Sequence, residues 1–202
     1  MISRLLMFGD SVFFGYGASD KERGCGRLLK KKIDIPVVIK AKNNDTTADA
    51  MKRLDAFRGS GYSHAVILFG NNDSRLVGVN TSSVPLRQYE ENLVRLLEFF
   101  KKNSIVPLLC NLQPLDNDGF FRTLPEIKKF IAMDDTPYTW HRRYSDACEN
   151  IARKMSVGLI DIRSALEARR DEAMYADGLH PNDLGHEIIA GKIYESVMGA
   201  DN

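Results

Sequence analysis

The sequence predicts a three-layer α/β/α protein built on a mostly parallel five-stranded sheet. Two observations predict it. Five short runs rich in Val, Ile and Leu are apolar at successive positions, as in strands buried on both faces. Segments with helical apolar spacing separate those runs, and strand–helix alternation repeated five times places helices on both faces of a parallel sheet.

Each element follows in chain order. "RLLMFG" (4–9) is the first strand, and a helical pattern over 23–32 comes next. That helix ends in Lys30, Lys31 and Lys32, read as a solvated helix end rather than a basic patch. "PVVIKA" (36–41) is the second strand and "ADAMKRLDAFR" (48–58) the second helix. "HAVILFG" (64–70) is the third strand and 86–102 the third helix. On that helix Tyr89, Leu93, Leu96, Leu97 and Phe100 form one apolar stripe, with Glu91 and Arg95 expected to pair on another face. "SIVPLLC" (104–110), a helix over 138–155, "VGLIDI" (157–162) and a last helix over 183–198 complete the series. The stretch 113–137 is long for a connection and carries Phe120, Phe121 and Phe130. Two readings of it stay open: a lid or substrate wall, with Tyr138 and Trp140 adding to an acyl pocket, or a surface helix packed on the core or on a neighbouring subunit.

Length and composition set the class. A chain of 202 residues without internal repeat, linker or low-complexity segment is read as one domain over 1–202. With 44% hydrophobic and 27% charged residues, the composition is that of a soluble globular protein. A net charge of +1 gives no reason to expect nucleic acid or an anionic membrane as partner. No apolar run reaches the ~20 residues of a membrane span, and the first residues lack a signal-peptide pattern, so a cytoplasmic location is expected. Cys25, Cys110 and Cys148 have no metal-site spacing and are expected as buried free thiols. Oligomeric state is not readable.

In sheets of this kind ligands bind beyond the carboxyl ends of the strands, and that rule selects the residues to inspect. Ser11 directly follows the first strand. A serine hydroxyl becomes a useful nucleophile when a neutral histidine takes its proton. Of the four histidines, His64 opens a central strand and is read as structural. His141 lies among basic neighbours at a helix start and is read as a surface residue or local cap. His186, in the first turns of the last helix, is read as packing or capping. His180 sits on the pre-helix loop "DGLHP" (177–181), with Asp177 three residues before it. At that spacing the carboxylate can reach Nδ1 and leave Nε2 free to accept a proton. "KNNDTT" (42–47) and "FGNND" (69–73) end the second and third strands and offer amide and backbone donors for an oxyanion, or simply Asn/Asp turns.

"GDS" (9–11), "NDTT" (44–47), "GNND" (70–73) and "DGLHP" (177–181), in this order, resemble the four blocks of the SGNH, or GDSL-type, serine hydrolases. The resemblance spans nearly the whole chain and implies the flavodoxin-like SGNH hydrolase fold. It implies an esterase, lipase or acyl thioesterase that uses no metal or organic cofactor and takes a small-molecule ester. Ser11 then matches the nucleophile and an N–H donor to the oxyanion, Asn72 the amide donor, His180 the base and Asp177 its orienting acid. Asp10 matches a residue that braces the nucleophile loop. One position departs: the family usually has glycine, as a backbone oxyanion donor, where this chain has Asn44. Asparagine tolerates a left-handed backbone, so Asn44 is carried as a candidate donor.

Three rivals are weighed. "GYSHA" (61–65) approaches a nucleophile elbow, but Ser63 precedes its strand instead of following it. A metal-dependent phosphoesterase needs several converging imidazoles and carboxylates, and asparagine stands where a ligand histidine is wanted. A non-catalytic binding module on the same fold is the third class, and the departure at Asn44 leaves it open.

Overall fold

A computed structural model describes residues 2–132, 135–174 and 176–199. Among the described residues the strands are β1 (Leu5–Gly9), β2 (Val37–Ala41), β3 (His64–Leu68), a small hairpin of β4 (Leu76–Gly78) and β5 (Thr81–Ser82), β6 (Val106–Cys110) and β7 (Gly158–Ile160). The main sheet has the order β2-β1-β3-β6-β7, and all four of its pairings are parallel. Parallel pairing requires a crossover after each strand. All five strands therefore end on one edge of the sheet.

The helices are α1 (Ser11–Phe14), α2 (Cys25–Lys32), α3 (Thr47–Lys52), α4 (Leu86–Lys102), α5 (Asn117–Thr123), α6 (Pro137–Lys154), α7 (Ile162–Glu167), α8 (Arg170–Ala173) and α9 (Asp183–Gly199). Contacts group α2, α7 and α9 into one layer and α3, α4 and α6 into another. Among the described residues no helix is long and apolar enough to cross a membrane.

Three local expectations need correction. The helix expected over 48–58 is two pieces: α3 ends before Arg53, and a 3-10 turn over Leu54–Phe57 follows. The tighter turn brings Leu54 and Phe57, three residues apart, to one side and buries both. On α4 the apolar stripe is buried as expected, but Glu91 pairs at 3.2 Å with Arg87, one turn before it, and not with Arg95, one turn after it. The long stretch 113–137 is neither one helix nor bare loop. It holds α5 and a 3-10 turn over Pro125–Lys129, while Met133 and Asp134 lie outside the described residues. The three cysteines are buried free thiols.

All five residues of β1 are buried, and Phe8 centres an aromatic cluster with Phe57 and Phe69, each at 4.9 Å between ring centroids. The loops leaving β1, β2 and β3 are joined by two buried carboxylates. Asp10 accepts the N–H of Val12 at 3.0 Å and the side-chain amide of Asn71 at 2.9 Å. Asp73 accepts the N–H of Thr47 at 3.1 Å and, more closely still, the Thr47 hydroxyl. The Asn92 amide donates to that same hydroxyl at 3.0 Å, which leaves the hydroxyl proton for Asp73. Burial pushes both acids up to about 6, against the pull of these hydrogen bonds.

These features set two expectations. Phe8→Ala should lower stability by about 3–5 kcal/mol in urea unfolding, because it empties the middle of the aromatic cluster. For Asp10 the folded value lies above the ordinary 3.8, so its contribution is fully present below about pH 3.8 and is lost as pH rises through about 6. Asp10→Asn should therefore gain on the wild type by about 2–3 kcal/mol between pH 4 and pH 8 in the same assay. A stability difference that stays constant over that range would contradict the assignment.

Candidate active site

The site forms where the loop after β1 meets the loop before α9. Asp10 caps α1 through its side chain, and Ser11 is the first helical residue, whose N–H has no carbonyl within the helix to bond. Gly15 ends this single turn in the left-handed region, φ 98°. Ser11 Oγ lies 3.0 Å from His180 Nε2, and His180 Nδ1 lies 2.7 Å from Asp177 Oδ2. Serine, histidine and aspartate thus form one continuous hydrogen-bonded chain.

The histidine loop is held from several sides. Asp177 Oδ1 accepts the backbone N–H groups of Leu179 and His180, both at 2.9 Å, which leaves Oδ2 for the ring. Burial raises the Asp177 carboxyl, but the ring and the two N–H donors together outweigh it and hold the acid below its ordinary value. Asp177 is thus ionised at neutral pH, which favours a proton on Nδ1 and an open lone pair at Nε2. Gly178 takes φ 70°, and a Cβ there would stand 2.3 Å from the Phe120 nitrogen. The stretch 113–119 packs that closely because Asp116 N–H donates to the Gly178 carbonyl at 2.8 Å and the Gln113 amide to the Leu179 carbonyl at 3.1 Å. Part of the long stretch thereby braces the histidine loop.

The remaining candidates lie on the loops that follow β2 and β3. Asn72 is half-buried, and its amide donates to the Asp45 carbonyl at 3.0 Å, tying the loop after β3 to the loop after β2. One amide hydrogen is left over. Asn44, in that second loop, is exposed and has φ 63°, the left-handed backbone that its residue type tolerates. Ser63 lies at the opposite edge of the sheet, where its hydroxyl accepts the N–H groups of Ser3 and Arg4.

An apolar cavity of about 70 Å³ opens beside Asn72 and Leu179, walled by Leu76, Leu115, Phe120, Leu124, Ile127 and Trp140. Trp140 and Phe120 line it as a substrate-wall reading anticipates. Tyr138 does not: its ring packs under the guanidinium groups of Arg163 and Arg170. Phe121 packs against Lys128, and Phe130 supplies the carbonyl that accepts the Asn80 N–H.

His141 overturns its reading as a surface residue. It is 2% exposed, lines the cavity, and its Nε2 lies 2.9 Å from Asn71 Oδ1. With the Asn71 amide donating to Asp10, Oδ1 is the acceptor and Nε2 carries the proton. Burial holds the ring neutral, with its pKa down to about 3. The chain Asp10–Asn71–His141 therefore runs from beneath the nucleophile to the cavity wall. His186 is buried as expected for a packing residue. The contact of Tyr16 with the His180 ring, at 4.3 Å between centroids, has no counterpart in the sequence reading.

Comparison with known proteins shows the family of the chain. The sequence model of the GDSL-like lipase/acylhydrolase family matches residues 7–188. The chain is 27% identical to a GDSL esterase/lipase of Oryza sativa subsp. japonica, over 67% of this chain and 54% of that protein. It is 25% identical to a GDSL esterase/lipase of Arabidopsis thaliana, over 100% of this chain and 90% of that one. The crystal structure of the lipase/acylhydrolase from Enterococcus faecalis superposes with a TM-score of 0.79 at 20% identity, covering 98% of this chain and 97% of the other. That likeness is one of fold. With the family match extending from β1 into α9, the chain belongs to the GDSL-like lipase/acylhydrolase family and is a hydrolase acting on ester bonds.

Proposed function

We propose that the protein cleaves carboxylic esters through an acyl-enzyme on Ser11. His180 Nε2 takes the hydroxyl proton as Oγ attacks the acyl carbonyl, and the carbonyl electrons move onto its oxygen. The Ser11 N–H, the Asn44 N–H and the free amide hydrogen of Asn72 hold that oxyanion. The imidazolium returns its proton to the departing alcohol, leaving the acyl group on Oγ. Water, deprotonated by the same histidine, then attacks the acyl carbon and releases the acid and Ser11. Asp177 fixes the ring and offsets the positive charge it gains.

The observation that carries this reading is the unbroken chain from Ser11 through His180 to Asp177, at 3.0 and 2.7 Å. It also weighs against the metal-dependent alternative, since both nitrogens of His180 already have partners. A non-catalytic module has no need of such a chain.

The cavity supports a substrate class. A cavity of about 70 Å³ closed in by bulky side chains such as Phe120 and Trp140 suits a short acyl group better than an extended one. It is lined by Asn72 and by Leu179, the neighbour of His180, so an acyl chain seated there would extend from a carbonyl held near the amide and the base.

Ser11→Ala and His180→Ala should each lower kcat by at least about 10³-fold. Asn72→Ala should lower it by about 10²–10³-fold. A Ser11→Ala protein with near wild-type esterase activity would refute the mechanism. With nitrophenyl esters of graded chain length, kcat/KM should peak at short acyl groups and decline for long ones. A maximum at long chains would refute the assignment of the cavity.

A further inference from the structure

The residues between the nucleophile and α2 do more than connect them. Tyr16 donates its N–H to the Ser11 carbonyl at 2.9 Å, and its own carbonyl accepts from His186 Nε2 at 2.9 Å. His186 Nδ1 accepts the Cys25 N–H at 3.2 Å, so both nitrogens of this buried imidazole are used. Burial, the largest influence, holds His186 below the usual histidine range, consistent with one donating and one accepting nitrogen. Gly17, at φ 92°, has no room for a side chain: a Cβ would lie 2.3 Å from the Pro181 carbonyl oxygen and 3.0 Å from His180 Cβ. Residues 15–17 are thus clamped between the helix of the nucleophile and the loop of the base.

That clamp determines where the Tyr16 ring goes. Tyr16 as a residue remains 48% exposed, yet its ring lies against the His180 imidazole with centroids 4.3 Å apart and planes tilted by 49°. A half-exposed tyrosine held by its backbone on both sides, with its ring on the base, is more ordered than hydrophobic burial requires.

We propose that Tyr16 is a positioning residue for His180, its π face set against the imidazole to stabilise the imidazolium that forms while the serine proton is held. The proposal rests on the reading of His180 as general base. A cation within about 6 Å of an aromatic centroid is attracted by the ring's negative face, and a neutral imidazole is attracted far less. The contact therefore strengthens as charge develops, which is the condition for lowering a barrier instead of only binding the ground state. Asp177 acts at the Nδ1 edge of the ring and Ser11 at Nε2, leaving a face of the imidazole for Tyr16. The buried Asp10 carboxyl and the His186 imidazole also act electrostatically on His180.

The test compares kcat, KM and the pH profile of kcat/KM for wild type, Tyr16→Phe and Tyr16→Leu on one short-chain nitrophenyl ester. Leucine keeps apolar bulk without a π face; phenylalanine keeps the face without the hydroxyl. Tyr16→Leu should lower kcat about three- to tenfold with KM little changed, and should move the acidic limb about half a pH unit to lower pH. Tyr16→Phe should restore both. Asp10 titrates in all three proteins and cancels in the comparison. A slowed Tyr16→Leu enzyme whose acidic limb stays in place or moves to higher pH overturns the proposal, as does a Tyr16→Phe enzyme that behaves like the leucine variant. His180→Ala separates the two levels. If it keeps wild-type rate, the base assignment fails and this inference with it. If it is inactive while the Tyr16→Leu profile is unmoved, only the inference fails.

Discussion

The hydrogen bond between Ser11 and His180 joins residues near opposite ends of the chain, and the rest of the site depends on it. Sheet order alone does not produce it. β1 lies inside the sheet and delivers Ser11 to the carboxyl edge, but His180 arrives on the loop that leads into α9, beyond the last strand. The two meet because α9 docks on α2. Ser19 donates its N–H and hydroxyl to Asp183, Arg23 pairs with Asp183 and Glu187, and His186 takes the Cys25 N–H. The exposed ion pairs add little individually. The buried imidazole contributes more, since removing it would leave the Cys25 N–H without its partner. Register between the two ends is thus set by packing of the helices and refined by these polar contacts.

The floor of the site is stabilised in a way that opposes the stability of the fold. Asp10 and Asp73 are carboxylates in surroundings that disfavour charge, and the Asp10 charge raises Asp73 further. A core built only for stability would hold apolar groups there. What these acids provide is direction: Asp10 orients Asn71, Asn71 fixes the tautomer of His141, and Asp73 fixes Thr47 at the start of α3. Three loops from three strands are thereby held in one arrangement, which is what donors aimed at a developing oxyanion require.

Much of this was legible in the sequence for physical reasons that can be named. β1, β3 and β6 are buried almost throughout and read as unbroken apolar runs. The edge strands β2 and β7 gave the same signal but are only partly buried, and the run 157–162 is a strand only over Gly158–Ile160. Asp177 and His180 are three apart on a tight loop, so their contact is local and follows from spacing. Asn44 was readable as a left-handed position because asparagine tolerates one, and its φ of 63° agrees. His141 was misread because Arg142 and Arg143 drew attention to an exposed face. The signal was present: the stripe Tyr144, Cys148 and Ile151 on α6, extended back by one turn, lands on His141. The contact between Tyr16 and His180 had no such signal, since neither periodicity nor local spacing links residues so far apart. The β4–β5 hairpin was equally silent, its strands being too short to show alternation. The long stretch 113–137 divided its roles in a way composition does not encode, part cavity wall and part brace for the histidine loop.

The central claim is that one alcohol, activated by a partner from the far end of the chain, becomes acylated. It is tested most directly by treating the protein with a serine-reactive alkylphosphonate ester and locating the adduct by peptide mass mapping. The account predicts a single stoichiometric adduct on Ser11 that does not form in the His180→Ala protein. An adduct on any other residue, or labelling of Ser11 that persists at full rate without His180, would contradict it.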